Sequence, residues 1–131
     1  MIVLLVNLSD ELSKLPPNVQ ERLLRLQQLQ QTLQTILAQK QQVEMEKTEV
    51  DQTLTELGKA ADDSVIYKAV GSLLVKAEKV KVTAELTERK DLLETRTTVL
   101  VRQEERIRSQ VKEAQTKLQE DLNPVAGQPL S

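Results

Sequence analysis

The side chains with which this sequence could begin acid–base chemistry are the adjacent carboxylates Glu104 and Glu105 and the single phenol Tyr67. Neighbouring residues on a helix point about 100° apart, so Glu104 and Glu105 cannot converge on one substrate from a helical segment. Tyr67 stands in a β-rich stretch, where an aromatic ring packs. The chain has no Cys and no His. Zinc, haem and iron–sulfur sites lack their usual ligands, and His-based proton transfer and Cys nucleophiles are excluded. No Gly-rich phosphate loop occurs. The sequence therefore offers no catalytic, cofactor-binding or metal-ligating set, and the expectation is a protein that is not an enzyme.

What remains is a chain built to hold other things in place. Its 131 residues suit one domain, yet only 1% are aromatic, against 39% hydrophobic and 29% charged, with three Gly. That is the composition of helices and coiled coil. The formal charge is −2. Residues 18–57 carry four basic and six acidic side chains and residues 83–122 carry eight and nine, interleaved in both. Such a surface is solvated helix and not a phosphate-binding stripe, so no nucleic-acid partner is expected. The apolar start MIVLLVN is far short of the ~20 residues of a membrane span and lacks the charged region of a secretory signal. With no disulfide, the natural compartment is the cytoplasm. Residues 1–17 read as an N-terminal extension and 123–131 as a flexible tail.

Pro16-Pro17 marks a hard boundary, with Asn18 as N-cap of a helix over 18–57. Twelve seam positions of a heptad lie between Val19 and Leu57, and nine are apolar: Val19, Leu26, Leu29, Leu33, Ile36, Val43, Val50, Leu54 and Leu57. Arg22, Lys40 and Lys47 interrupt them. The 3–4 alternation predicts a coiled-coil helix. Gln fills ten of these forty positions and supplies a neutral surface. A second stripe, Leu86, Leu93, Leu100, Ile107 and Ala114, recurs every seven residues, with Val111 and Leu118 added near the end. It predicts a helix over 83–122. Two equal helices of roughly 60 Å invite an antiparallel pairing that sets Leu57 near Thr83 and Asn18 near Leu122.

Between the helices the period changes. Gly58 can end the first helix, and residues 65–82 read as a β-hairpin around Gly71-Ser72 with a type II′ turn. The pairs expected are Val70–Leu73, Ala69–Leu74, Lys68–Val75 and Tyr67–Lys76. A lone hairpin is marginal in water. Its exposed side chains, Val65, Ile66, Tyr67, Val70, Leu73, Leu74 and Val75 about the Gly71 turn, ask for other subunits to cover them.

At the other helix ends, Leu23 and Leu24 fall at e and f of the heptad frame, where water is expected. Leu122 sits just off the second seam, flanked by Leu118 and Val125. Gathered by antiparallel pairing, together with Val19, these residues form an apolar patch of the kind that marks a binding surface.

Four motifs in this order carry a family resemblance: QQLQQ at Gln27–Gln31, the hairpin D-D-x-x-x-Y-K-x-V-G-x-L-L-V at Asp62–Val75, RQEERI at Arg102–Ile107 and KLQE at Lys117–Glu120. Over about residues 17–123 the chain resembles the prefoldin β subunits of archaea. The single central hairpin is of the β type, whereas the α type carries two. The apolar residues 1–16 depart from the family's short N-terminus, which points to an upstream start codon.

The resemblance implies a mainly α fold, a long antiparallel two-helix coiled coil whose central β-hairpin joins an oligomeric β-barrel. It implies a hexamer of two α-type and four β-type subunits, with the helix pairs as arms. Such complexes hold unfolded client proteins between the arm tips and pass them to a group II chaperonin without nucleotide. The residues expected to touch clients are Val19, Leu23, Leu24, Leu118, Leu122 and Val125. Two other readings stand beside it. A structural coiled-coil tether would have inert tips and would need only a short helix–helix loop. A nucleic-acid-binding arm would need a charge bias that the sequence lacks.

Overall fold

The computed structural model describes residues 12–123. Expectations placed on residues 1–11 and on the tail from Pro124 onward, Val125 included, lie outside the described residues. The elements are α1 (Pro17–Lys59), β1 (Ile66–Val70), β2 (Leu73–Ala77) and α2 (Lys79–Leu122).

Pro17 occupies the first helical position, where its missing amide proton costs nothing. The carbonyl of Pro16 accepts from the amides of Val19 (3.0 Å) and Gln20 (3.1 Å). Asn18 is therefore inside α1 and does not cap it, because Pro16 already supplies the first acceptor. At the other end Gly58 does not stop the helix. It stays within α1, and Gly71 alone among the described residues has positive φ. The helix closes one residue later, where Ala60 N–H donates to Leu57 O at 3.2 Å.

The hairpin register places Val70 opposite Leu73, Ala69 opposite Leu74, Lys68 opposite Val75 and Tyr67 opposite Lys76, and adds Ile66 opposite Ala77. Gly71 has φ 60°, and among the described residues no non-glycine is positive, so Ser72 is not. That combination is the type II′ turn, whose twist suits a two-residue connection. The hairpin is shorter than the 65–82 expected. β2 ends at Ala77, and α2 starts at Lys79, four residues before Thr83. Val80 and Val82 are weak helix formers, but no Gly or Pro breaks the segment, and context overrides so small a propensity difference. Val82 N–H accordingly donates to Glu78 O at 3.0 Å.

The described residues pack as two compact units, one of residues 12–37 with 103–123 and one of residues 38–102. In the first, Val19, Leu29, Ile36 and Leu118 are buried; in the second, Val43, Leu57, Leu93 and Leu100. Every buried residue is aliphatic and lies on an expected seam. The twelve seam positions of α1 are all buried or half-buried, including Arg22, Lys40 and Lys47. Each fully buried Leu or Val contributes ~1.5–3 kcal/mol, so these narrow cores depend on every seam residue. Ion pairs bridge α1 and α2 inside each unit: Arg22 with Asp121 in the first, and Arg89 with Glu46 (2.7 Å) and Lys90 with Asp51 (2.9 Å) in the second.

Candidate functional site: helix ends and an unpaired hairpin

In the hairpin-bearing unit, strand alternation sorts the side chains. Ile66, Lys68, Val70, Leu73, Val75 and Ala77 share one face; Tyr67, Ala69, Leu74 and Lys76 share the other. Lys68 Nζ reaches Glu85 Oε2 of α2 at 2.8 Å, so the first face turns toward α2. Between them lies a cleft of about 580 Å³ lined by Val70, Val75, Lys81 and Val82 among others. On the second face the large side chains are exposed. Leu74 is 72% exposed and Tyr67 61%. Val65, Val70, Leu73 and Val75 are also exposed, Ile66 is half-buried, and Gly71 is open. The two-stranded sheet leaves the outer edge of each strand unpaired.

The hydrogen bond from Lys68, and then its positive charge, hold the Glu85 carboxyl below the usual carboxylate range. In the same unit the hydrogen bond to Asp51, and then the carboxylate's charge, raise the Lys90 ammonium above the usual lysine range. These shifts come from surface ion pairs. Among the described residues no group of three or more acidic side chains is placed to hold a metal.

In the terminal unit, α1 and α2 bring the six expected client-contact residues to different fates. Leu24 is 56% and Leu122 53% exposed, and Leu23 is half-buried. Val19, at 2%, and Leu118, at 9%, close the seam and are covered. Val125 lies outside the described residues. The heptad frame explains the split: Val19 and Leu118 are seam positions, while the other three stand beside it or behind it. Arg22 and Asp121, whose side chains pair, are the residues directly before Leu23 and Leu122. The two leucines therefore flank the seam on one side.

The sequence reading did not anticipate two features. Gln20 donates from Nε2 to the carbonyls of Ser13 (3.1 Å) and Leu15 (2.8 Å), holding the chain before Pro16 against α1. Leu12, at the start of that clamped stretch, is exposed. One Gln among the ten of residues 18–57 carries no sequence signal for such a role. No helix among the described residues is long and apolar enough to cross a membrane.

The family model described as "Prefoldin subunit" matches residues 20–124. The prefoldin subunit beta of Archaeoglobus fulgidus is 47% identical over 116 residues, covering 88% of this chain and 100% of the relative. That of Methanothrix thermoacetophila is 45% identical over 109 residues, covering 83% and 91%. The crystal structure of the prefoldin beta subunit from Thermococcus strain KS-1 superposes with a TM-score of 0.75 at 43% identity, covering 83% of this chain and 96% of that one.

Proposed function

Because this chain belongs to the prefoldin subunit family, in its archaeal beta type, we propose that it is one subunit of an ATP-independent chaperone that captures non-native proteins and delivers them to a group II chaperonin. The hairpin is its assembly element. Copies of it join those of an α-type subunit in a hexamer, and the strands close into a shared β-barrel. Two open sheet edges and a bare face with Tyr67 and Leu74 support this reading, since an uncovered hairpin is both marginal and aggregation-prone. The cytoplasm is its compartment. No nucleotide, metal or nucleic acid takes part.

Client capture falls to the helix ends. The observation that carries this is the exposure of Leu24 and Leu122 beside half-buried Leu23, outside a seam that does not need them. Unfolded chains expose apolar surface, and several weak contacts on one assembly raise retention through effective concentration. Val19 and Leu118 join when the helix ends part.

The test is Leu23→Ser with Leu24→Ser in the complex assembled with an α-type subunit. Helicity and molar mass should stay at parent values while suppression of aggregation of a denatured test protein falls several-fold. Full protection by an intact double variant would reject client capture here and favour a structural tether, a reading that the burial of Val19 and Leu118 in the seam supports.

A further inference from the structure

In the terminal unit both helices break their own seam pattern at the end of the pair. On α1 the steps of seven from Leu57 back to Leu29 are all apolar, and the next step back is Arg22. On α2 the steps of seven from Leu86 to Ala114 are all apolar, and the next is Asp121. These two charged residues pair with each other, Arg22 Nε donating to Asp121 Oδ2. Where the period calls for one more apolar layer, the helix ends meet through opposite charges. Both side chains are partly exposed, whereas Val19 and Leu118, each three residues away on the same helix, are buried. An apolar layer is held by its removal from water. An ion pair that water reaches holds less firmly, and salt screens it.

We propose that the Arg22–Asp121 pair is a latch on the helix ends. Closed, it keeps Val19 and Leu118 covered. Released, it lets the ends part and adds both residues to the apolar surface that Leu23, Leu24 and Leu122 already offer to an unfolded chain. Arg22 and Asp121 are positioning residues in this scheme: they set how much surface is presented and are not themselves the apolar contacts. A leucine at both places would continue the two stripes and hold the ends together by burial, taking Val19 and Leu118 out of reach. Only the effect on clients rests on the proposed chaperone function; the opening itself does not.

Because the chain has no Cys, Asn18→Cys with Gln119→Cys places one spin label on each helix end, at exposed and uncharged positions. In the complex assembled with an α-type subunit, labelled chains are diluted with unlabelled ones and the distance between the two labels is measured. Asp121→Asn should raise the long-distance population about two- to fivefold. Arg22→Glu, which sets two carboxylates against each other, should raise it further, and adding Asp121→Arg to Arg22→Glu should restore the parent distribution. Salt at about 1 M, where the screening length is ~3 Å, should open the parent and leave Arg22→Leu with Asp121→Leu unmoved. Without labels, Asp121→Asn and Arg22→Glu should retain a denatured client about two- to tenfold more tightly, and the reversed pair should retain it as the parent does. Distances that ignore both single changes overturn the latch, as does opening that the reversed pair leaves in place. If Arg22→Glu loses helicity, Asp121→Asn alone decides. Opening without tighter retention overturns the role in capture. If Leu23→Ser with Leu24→Ser keeps full protection while the distances answer to charge, the chaperone reading fails and the latch stands. If that variant loses protection and the distances do not answer, the latch alone fails.

Discussion

Lys79, the first residue of α2, donates from Nζ to the carbonyl oxygen of Ala60 at 2.6 Å, one residue past the end of α1. The side chain is only 14% exposed and also reaches Asp62 Oδ1 at 3.2 Å. Helix C-termini leave carbonyls without partners and carry partial negative charge, so a cation there satisfies both needs. Lys79→Met should lower stability by about 1–2 kcal/mol, read from the urea midpoint of helicity. Asp62→Asn should cost much less, since Asp62 is almost fully exposed. Equal costs for the two would mean that the ion pair, and not the carbonyl, is what Lys79 serves.

The two described glycines should respond in opposite directions to the same change. Neither would meet an atom within 4 Å on gaining a Cβ, so backbone conformation alone decides. Gly58 is helical, and Gly58→Ala should stabilise by ~0.5–1 kcal/mol. Gly71 has φ 60°, and Gly71→Ala should destabilise the hairpin by ~1–2 kcal/mol. Thermal melts of the two variants check this, and a shift of the same sign in both would refute the turn assignment.

Assembly should depend on the bare hairpin face. Tyr67→Asp with Leu74→Asp changes exposed residues on the side away from Glu85, so the isolated chain should keep its helicity. Mixed with the α-type subunit, it should yield smaller species by light scattering. A full-sized complex from the doubly substituted chain would remove the hairpin from assembly. Ile66 and Val75 are poorer probes, because they share the face that turns toward α2.

Stability should fall at both ends of the pH range. Glu85, with its pKa depressed by Lys68, contributes stability above its unfolded value of ~4.3 and loses it as pH falls through the lower folded value. Lys90, raised by Asp51, contributes below its unfolded value of ~10.4 and loses it as pH rises through the higher folded value. Both pairs are at the surface, so each effect is small. Denaturant midpoints against pH should show a shallower acid limb in Glu85→Gln and a shallower alkaline limb in Lys90→Met. An acid limb identical to the parent's in Glu85→Gln would show that the Lys68 pairing adds nothing.

The elements that follow a strict period were legible in the sequence. Leu29, Ile36, Val43 and Leu57 recur at multiples of seven and are all buried, and the Gly71-Ser72 pair set both turn type and register. The ends were less legible. Pro16 displaced Asn18 as the first acceptor, Gly58 stayed helical, and α2 began at Lys79, because caps depend on which neighbouring groups are free, not on periodicity. The helix-end patch was read as six residues of one kind. The frame that exposed Leu24 also implied that Val19 and Leu118 serve the seam, but their depth becomes visible only when the opposing helix is in place. The Gln20 clamp had no signal at all, since its partners are backbone carbonyls.

The contacts between the two halves of the chain differ widely in how much polypeptide separates their partners: 19 residues for Lys79 and Ala60, 43 for Arg89 and Glu46, 99 for Arg22 and Asp121. Closing a loop costs entropy that grows with its length, but each closed pair shortens the loop left for the next. The cheapest order begins beside the turn and ends with Arg22 and Asp121, so the helices zip. During synthesis the consequence is lopsided. Leu23 and Leu24 leave the ribosome just after Arg22, yet the 99 residues from Arg22 to Asp121 must be made before their turn of α1 has its partner on α2.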